Sequence, residues 1–85
     1  MRLPESGEFV GQVVEFLGGS RVKVEKKNGV KILARITRKI KTKRIKIEKD
    51  DYVLISPWEI EPEKGDIVWR YKKTDISYLK HKGFI

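Results

Sequence analysis

Chain reversals are written into this sequence at short intervals. "GGS" at 18–20, "NG" at 28–29, "KDD" at 49–51 and "EKG" at 63–65 are each turn signals. The runs between them are rich in Val, Ile, Tyr and Trp, the composition of strands. "RVKVE" (21–25) alternates, with Val22 and Val24 inward and Arg21, Lys23 and Glu25 outward. Asn28-Gly29 suits a type I′ turn, so a hairpin is expected there. "VKILARI" (30–36) returns with Val30, Ile32, Ala34 and Ile36 on one face and Lys31, Leu33 and Arg35 on the other. The earlier run "EFVGQVVEFL" (8–17) has apolar residues on both parities, as expected of a strand bulged near Glu15 or curling at a barrel corner, with Gly11 at the bend. "YVLIS" (52–56) is a strand stopped by Pro57. "DIVWRY" (66–71) is the last, with Ile67, Trp69 and Tyr71 on one side and Val68 and Arg70 on the other.

"TDISYLKHK" (74–82) changes the period. Thr74 can cap a helix, Asp75 sits in its first turn, and Ile76 and Leu79 share one face. Lys80 and Lys82 close it, and Gly83 can take the left-handed position that ends it. So short a helix must dock on the sheet to persist. The expected fold is mainly β: a five-stranded OB-fold barrel with a short connector helix and a C-terminal helix packed on it, an SH3-like barrel being the rival. The expected division is a short N-terminal tail at 1–7, the barrel at 8–72 and the helix at 73–85. At 10.0 kDa the chain is one domain, and folding should bury roughly 64% of its unfolded surface.

The long interval, 30–48, contains most of a segment unlike the others: "RKIKTKRIKIEK" (38–49), with seven basic residues, one acid and three Ile. It supplies +6 of the net charge of +8. The next stretch, to Asp66, turns acidic. A dense positive block beside a mildly negative one makes a directed field suited to a polyanion. Thr37 to Thr42 reads as a helical or irregular connector. In "RIKI" (44–47), Ile45 and Ile47 share one parity and Arg44 and Lys46 the other. Ile45 and Ile47, with Ile40, are expected to anchor the segment to the core. That leaves Lys39, Lys41, Lys43, Arg44 and Lys46 facing water as a positioned ridge.

Catalytic chemistry has little to stand on. There is no cysteine, and the one histidine, His81, lacks a partner for a zinc site. Ser6, Ser20, Ser56 and Ser77 fall in turns, tails or helix starts with no base to activate them. No phosphate-cradling glycine loop or metalloprotease motif occurs. Glu59, Glu61, Glu63 and Asp66 have no apolar pocket to raise a carboxyl pKa, and their spacing does not fit a calcium loop. No enzyme activity, metal or cofactor is expected. No run of 10 apolar residues occurs, which excludes a membrane span and a signal-peptide core. A short cytoplasmic domain is expected.

RNA binding draws on what is present. Each Lys or Arg that meets a phosphate releases counterions. Five such contacts from 38–49 give a slope of log affinity on log salt of roughly −3.5 to −4.5. Arg21, Lys23, Lys31 and Arg35 extend the same face. Among the aromatic residues, Trp69 and Tyr71 suit the core or the helix dock, whereas Trp58, on a loop after Pro57, could stack on a base. No aromatic lies within the basic block, which favours recognition of backbone and shape.

Three stretches together resemble the archaeal form of the translation initiation factor 1A family, counterpart of bacterial initiation factor 1. They are "GQVVEFLGGSRVKVEKKNGVKILARI", the connector "TRKIKTKRIKI", and "SPWEIEPEKGDIVWRYKKTDISYLKHKGFI". The resemblance covers residues 7 to 85, and "PWE", "GDIVWRY" and "LKHKGF" are its most specific parts. It implies an OB barrel with an appended helix. It also implies a monomer that occupies the aminoacyl-tRNA site of the small ribosomal subunit and favours initiator tRNA and other factors next door. Carried onto this chain, the residues implied to meet ribosomal RNA are Arg35, Lys39, Lys41, Lys43, Arg44 and Lys46. Arg38 adjoins them and stands where members usually carry glycine. Arg44 and Lys46 stand close to where many carry an aromatic, so no stacking is expected there. "MRLPESGE" is nearly neutral where a basic tail is common, so the functions of long tails are not expected to transfer. The expected partners are small-subunit rRNA, other initiation factors and ribosomal proteins. The alternatives are a general RNA-binding OB protein such as an RNA chaperone, and a protein-interaction module using the acidic loop at 59–66 and the terminal helix.

Overall fold

Two tight reversals organise the first three strands, β1 (Phe9–Gly18), β2 (Arg21–Lys26) and β3 (Lys31–Ile36). In this computed structural model, which describes residues 2–85, left-handed backbone at both Gly19 (φ 57°) and Ser20 (φ 64°) makes the turn between β1 and β2. Met1, the start of the expected 1–7 tail, lies outside the described residues. The next turn differs from the type I′ expectation at Asn28-Gly29, because only Gly29 is left-handed (φ 86°). Its N–H reaches the Lys26 carbonyl at 2.9 Å, and the Lys26 N–H reaches the Val30 carbonyl at 2.8 Å. That is a turn followed by a bulge. The extra residue carries Val30 off the inner face, to 51% exposure, rather than into line with Ile32.

Helix α1 (Arg38–Thr42) follows, then β4 (Tyr52–Pro57), β5 (Lys64–Arg70) and α2 (Lys73–His81). The strands close in the order β1-β2-β3-β5-β4, with β4 pairing back on β1. Every neighbouring pair is antiparallel except β3 and β5, which run parallel from Leu33↔Lys64 to Ile36↔Ile67. This is the OB order and not that of the SH3-like rival. The curl expected near Glu15 is present: Val14 and Leu17 are extra residues in β1, opposite Val24–Lys23 and Val22–Arg21. Gly11 lets β2 come close there, since a Cβ on it would lie 2.2 Å from Val24 Cγ1.

Two apolar clusters hold the molecule. Val13, Val22, Val24, Ile32, Ala34, Val53, Ile55 and Ile67 fill the barrel, joined by Ile40 and Ile47 from the connector. Val10, Leu54, Tyr71 and Leu79 form a second cluster outside it, with Trp69 and Phe84 against them. Strand β4 is buried on both faces for this reason, Val53 and Ile55 inward and Leu54 under α2. The last strand departs from its sequence reading. Leu54 pairs with Trp69 but Ile55 pairs with Ile67, so Val68 is an extra residue. This bulge flips parity. Ile67 enters the barrel while Trp69 and Tyr71 turn outward to meet the helix.

At α2 the cap is Lys72, not Thr74, because the helix begins at Lys73, two residues earlier than a Thr74 cap would place it. The Asp75 carboxylate accepts the Lys72 N–H at 3.0 Å and so satisfies a donor at the helix start. Gly83 (φ 82°) ends the helix as expected. Its N–H bonds the Lys80 carbonyl, the Phe84 N–H bonds the Leu79 carbonyl, and Phe84 folds back onto Leu79.

Candidate nucleic-acid interface

The connector 38–49 is not the strand-like run that the parity of "RIKI" suggested. After α1 the chain turns at Lys43 and at Arg44, whose φ of 56° no strand could hold, and 45–48 is irregular. It is nevertheless fixed. Ile40 is 2% exposed and Ile47 7%, both in the barrel cluster, with Ile45 packed against it. Thr37 Oγ1 donates to the Ile67 carbonyl at 3.2 Å. At the other end the Asp50 N–H and the Asp51 carbonyl bond Val13 of β1, at 2.8 and 2.9 Å. Arg38, Lys39, Lys41, Lys43, Arg44 and Lys46 are all exposed. Lys41 Nζ reaches Ser20 Oγ at the β1–β2 turn, and Arg70 Nη1 donates to the Lys46 carbonyl at 2.6 Å. The segment thus runs from the first turn to the end of β5, with its cations outward.

Helix α2 covers the flank made by β1, β4 and the end of β5, which leaves the outer face of β2, β3 and the start of β5 bare. Register places Arg21 beside Arg35 and Arg35 beside Asp66 in one row, and Lys23, Leu33 and Lys64 in the next. Arg21 and Arg35 are like charges on directly opposed residues, which is unfavourable unless a counter-charge is at hand. Asp66 supplies it: its carboxylate accepts from Arg35 Nε at 3.2 Å and Nη2 at 3.5 Å. The same Oδ1 accepts Trp58 Nε1–H at 3.1 Å. The Arg35 guanidinium lies 5.3 Å from the centre of the Trp58 ring, and Lys64 Nζ lies 5.9 Å from it. Arg21, Arg35, Trp58 and Lys64 line a groove of about 240 Å³ together with Leu33, Ala34 and Gly65.

The expected extension residues do not all join this row. Arg21 and Trp58 do. Lys23 is held by Glu15 at 3.4 Å. Lys31 opposes Glu25 at the far end of the sheet, about 13 Å along the strand from Arg35. Ser20, Asp66 and Arg70 were missed. Asp66 reads in sequence as one more acid of the 59–66 loop, and Arg70 is set by the unseen bulge at Val68. Within that loop Ile60 is 94% exposed between Glu59 and Glu61. Among the described residues no cluster of His, Asp and Glu could hold a metal ion, and no helix is long and apolar enough to cross a membrane.

Fold and flank together define a small OB-type barrel with one face sealed by a helix and the other cationic. The family model described as translation initiation factor 1A / IF-1 matches residues 1–85. The chain is similar to translation initiation factor 1A of Haloarcula marismortui, at 46% identity over 85 residues, covering all of this chain and 88% of that protein. It is similar to the factor of the same name from Methanopyrus kandleri, at 43% identity, with 98% and 74% covered. Its structure is similar to that of the translation initiation factor IF-1 from the Wolbachia endosymbiont of Brugia malayi, with a TM-score of 0.65 at 27% identity, covering 81% of this chain and 82% of that one. The chain belongs to the translation initiation factor 1A / IF-1 family, whose members are not enzymes.

Proposed function

We propose that this protein binds the aminoacyl-tRNA site of the small ribosomal subunit as a cytoplasmic monomer. It occludes that site and promotes initiator tRNA binding and assembly of the initiation complex. The observation that carries this reading is the isoleucine-anchored connector. Its outward Arg38, Lys39, Lys41, Lys43, Arg44 and Lys46 continue into Arg21 and Arg35 on the barrel flank that α2 does not cover. A rigid array of cations recognises folded RNA through its phosphates, with no bond made or broken.

Binding to intact archaeal small subunits, measured with and without a ligand filling the aminoacyl-tRNA site, tests the site. A filled site should abolish binding. Equal affinity in both states identifies instead a general RNA-binding OB protein. Reversing Lys41, Lys43 and Lys46 to Glu should abolish subunit association while circular dichroism is unchanged. Ile60, exposed among acids, favours a protein contact at the 59–66 loop, where a basic ribosomal protein or another initiation factor would meet this chain. If that loop carried the binding alone, the triple reversal would leave association intact.

A further inference from the structure

We propose that Asp66 is a positioning residue for RNA binding: removing its negative charge weakens, rather than strengthens, binding to the ribosomal subunit. This rests on the reading that the cationic flank meets RNA. A carboxylate on such a surface should repel phosphate, and on charge alone its loss should tighten the complex. The contacts of Asp66 argue the opposite sign. One carboxylate holds Arg35 through two donors, Nε and Nη2, and the Trp58 indole N–H through Oδ1.

An arginine has five N–H donors in a fixed plane. Engaging the Nε edge leaves Nη1 and one N–H of Nη2 directed away from the carboxylate. The guanidinium is held against the Trp58 ring, with which it shares its counter-ion. The Asp66 carboxylate is 28% exposed and Arg35 56%, so the acid sits behind the base it orients. Asp66 also relieves the Arg21–Arg35 opposition across β2 and β3. Without it both arginines swing apart into solvent, and ordering them again on RNA costs side-chain entropy.

The test uses the full chain carrying Trp69→Phe, so that Trp58 alone reports by fluorescence. The Trp69 indole N–H has no protein acceptor among the described residues, so this background loses no hydrogen bond. In it, Asp66→Ala should lower affinity for archaeal small subunits by about five- to tenfold, the scale of one net hydrogen bond. Trp58 emission should shift and its anisotropy fall. Asp66→Asn, which still offers an acceptor to Trp58, should lose less. Adding Asp66→Ala to Arg35→Ala/Trp58→Phe should raise affinity, because only the repulsive charge then remains to be removed. A merely structural Asp66 would weaken binding in both backgrounds. Asp66→Ala binding as tightly as its parent, or more tightly, overturns the proposal. Arg35→Ala alone then separates the two readings. If it weakens binding, the interface stands and only the positioning role falls; if it does not, both fall.

Discussion

Tyr71 carries a strongly displaced proton equilibrium. Burial beneath α2, then the nearby Glu8 carboxylate, pushes its hydroxyl up from 10.0 to about 12. Its O–H donates to the Arg2 carbonyl and ties the N-terminal segment to the barrel. Because the folded state holds this proton more tightly, its stabilising effect is intact below pH 10.0 and is lost as pH rises from there through about 12. Tyr71→Phe should therefore unfold in urea with a flatter alkaline limb than wild type, after a loss of about 0.5–1.5 kcal/mol at neutral pH for the missing hydrogen bond. Superimposable pH profiles for the two proteins would show that this hydroxyl is not the titrating group. In sequence, Tyr71 was legible as a core or helix-dock aromatic. Its hydrogen-bond partner, 69 residues away, was not.

Among the elements, the connector depends most on a few side chains. Ile40→Ala should cost about 2–5 kcal/mol, and it should also weaken RNA binding although it removes no charge. Ile40→Val should cost about 0.5–1.5 kcal/mol and leave affinity near wild type. Thermal unfolding and subunit titration, done side by side, check both; undiminished affinity in folded Ile40→Ala would mean that the cations need no anchor. The anchors were legible because an isoleucine among lysines has few reasons to be there except burial. The path between them was not. Arg44 takes a left-handed conformation with no glycine to announce it, so parity suggested an extended run. The bulge at Val68 escaped for a related reason. Strict alternation in "DIVWRY" is what a regular strand would carry, and only the match of Trp69 to Leu54 under α2 decides otherwise. The bulge in β1 was legible, since there the alternation itself breaks. The charges of the candidate site could be read directly, but the Arg35–Asp66–Trp58 cluster could not. It depends on the parallel register of two strands whose paired residues stand 31 apart.

At the scale of the whole molecule, helix α2 closes one flank of the barrel over its second apolar cluster, and the exposed arginines and lysines of the connector, with Arg21 and Arg35, occupy another. Such an array should give subunit affinities that fall with salt at a slope of roughly −3.5 to −4.5 between about 50 and 200 mM. A slope near −1 would mean that most of the ridge points away from phosphate. The parallel pairing of β3 with β5 has a thermodynamic corollary. Everything between those strands, the cationic segment included, hangs in the loop that their pairing closes. If the seam parts, the lysines persist but their arrangement is gone. A polyanion that fits the arrangement grips only the shut form, and mass action converts that grip into about 2.7 kcal/mol of extra barrel stability at a hundredfold excess over its Kd. Each bound molecule is thereby protected from unfolding, and from the proteases that harvest unfolded chains, for as long as it stays seated.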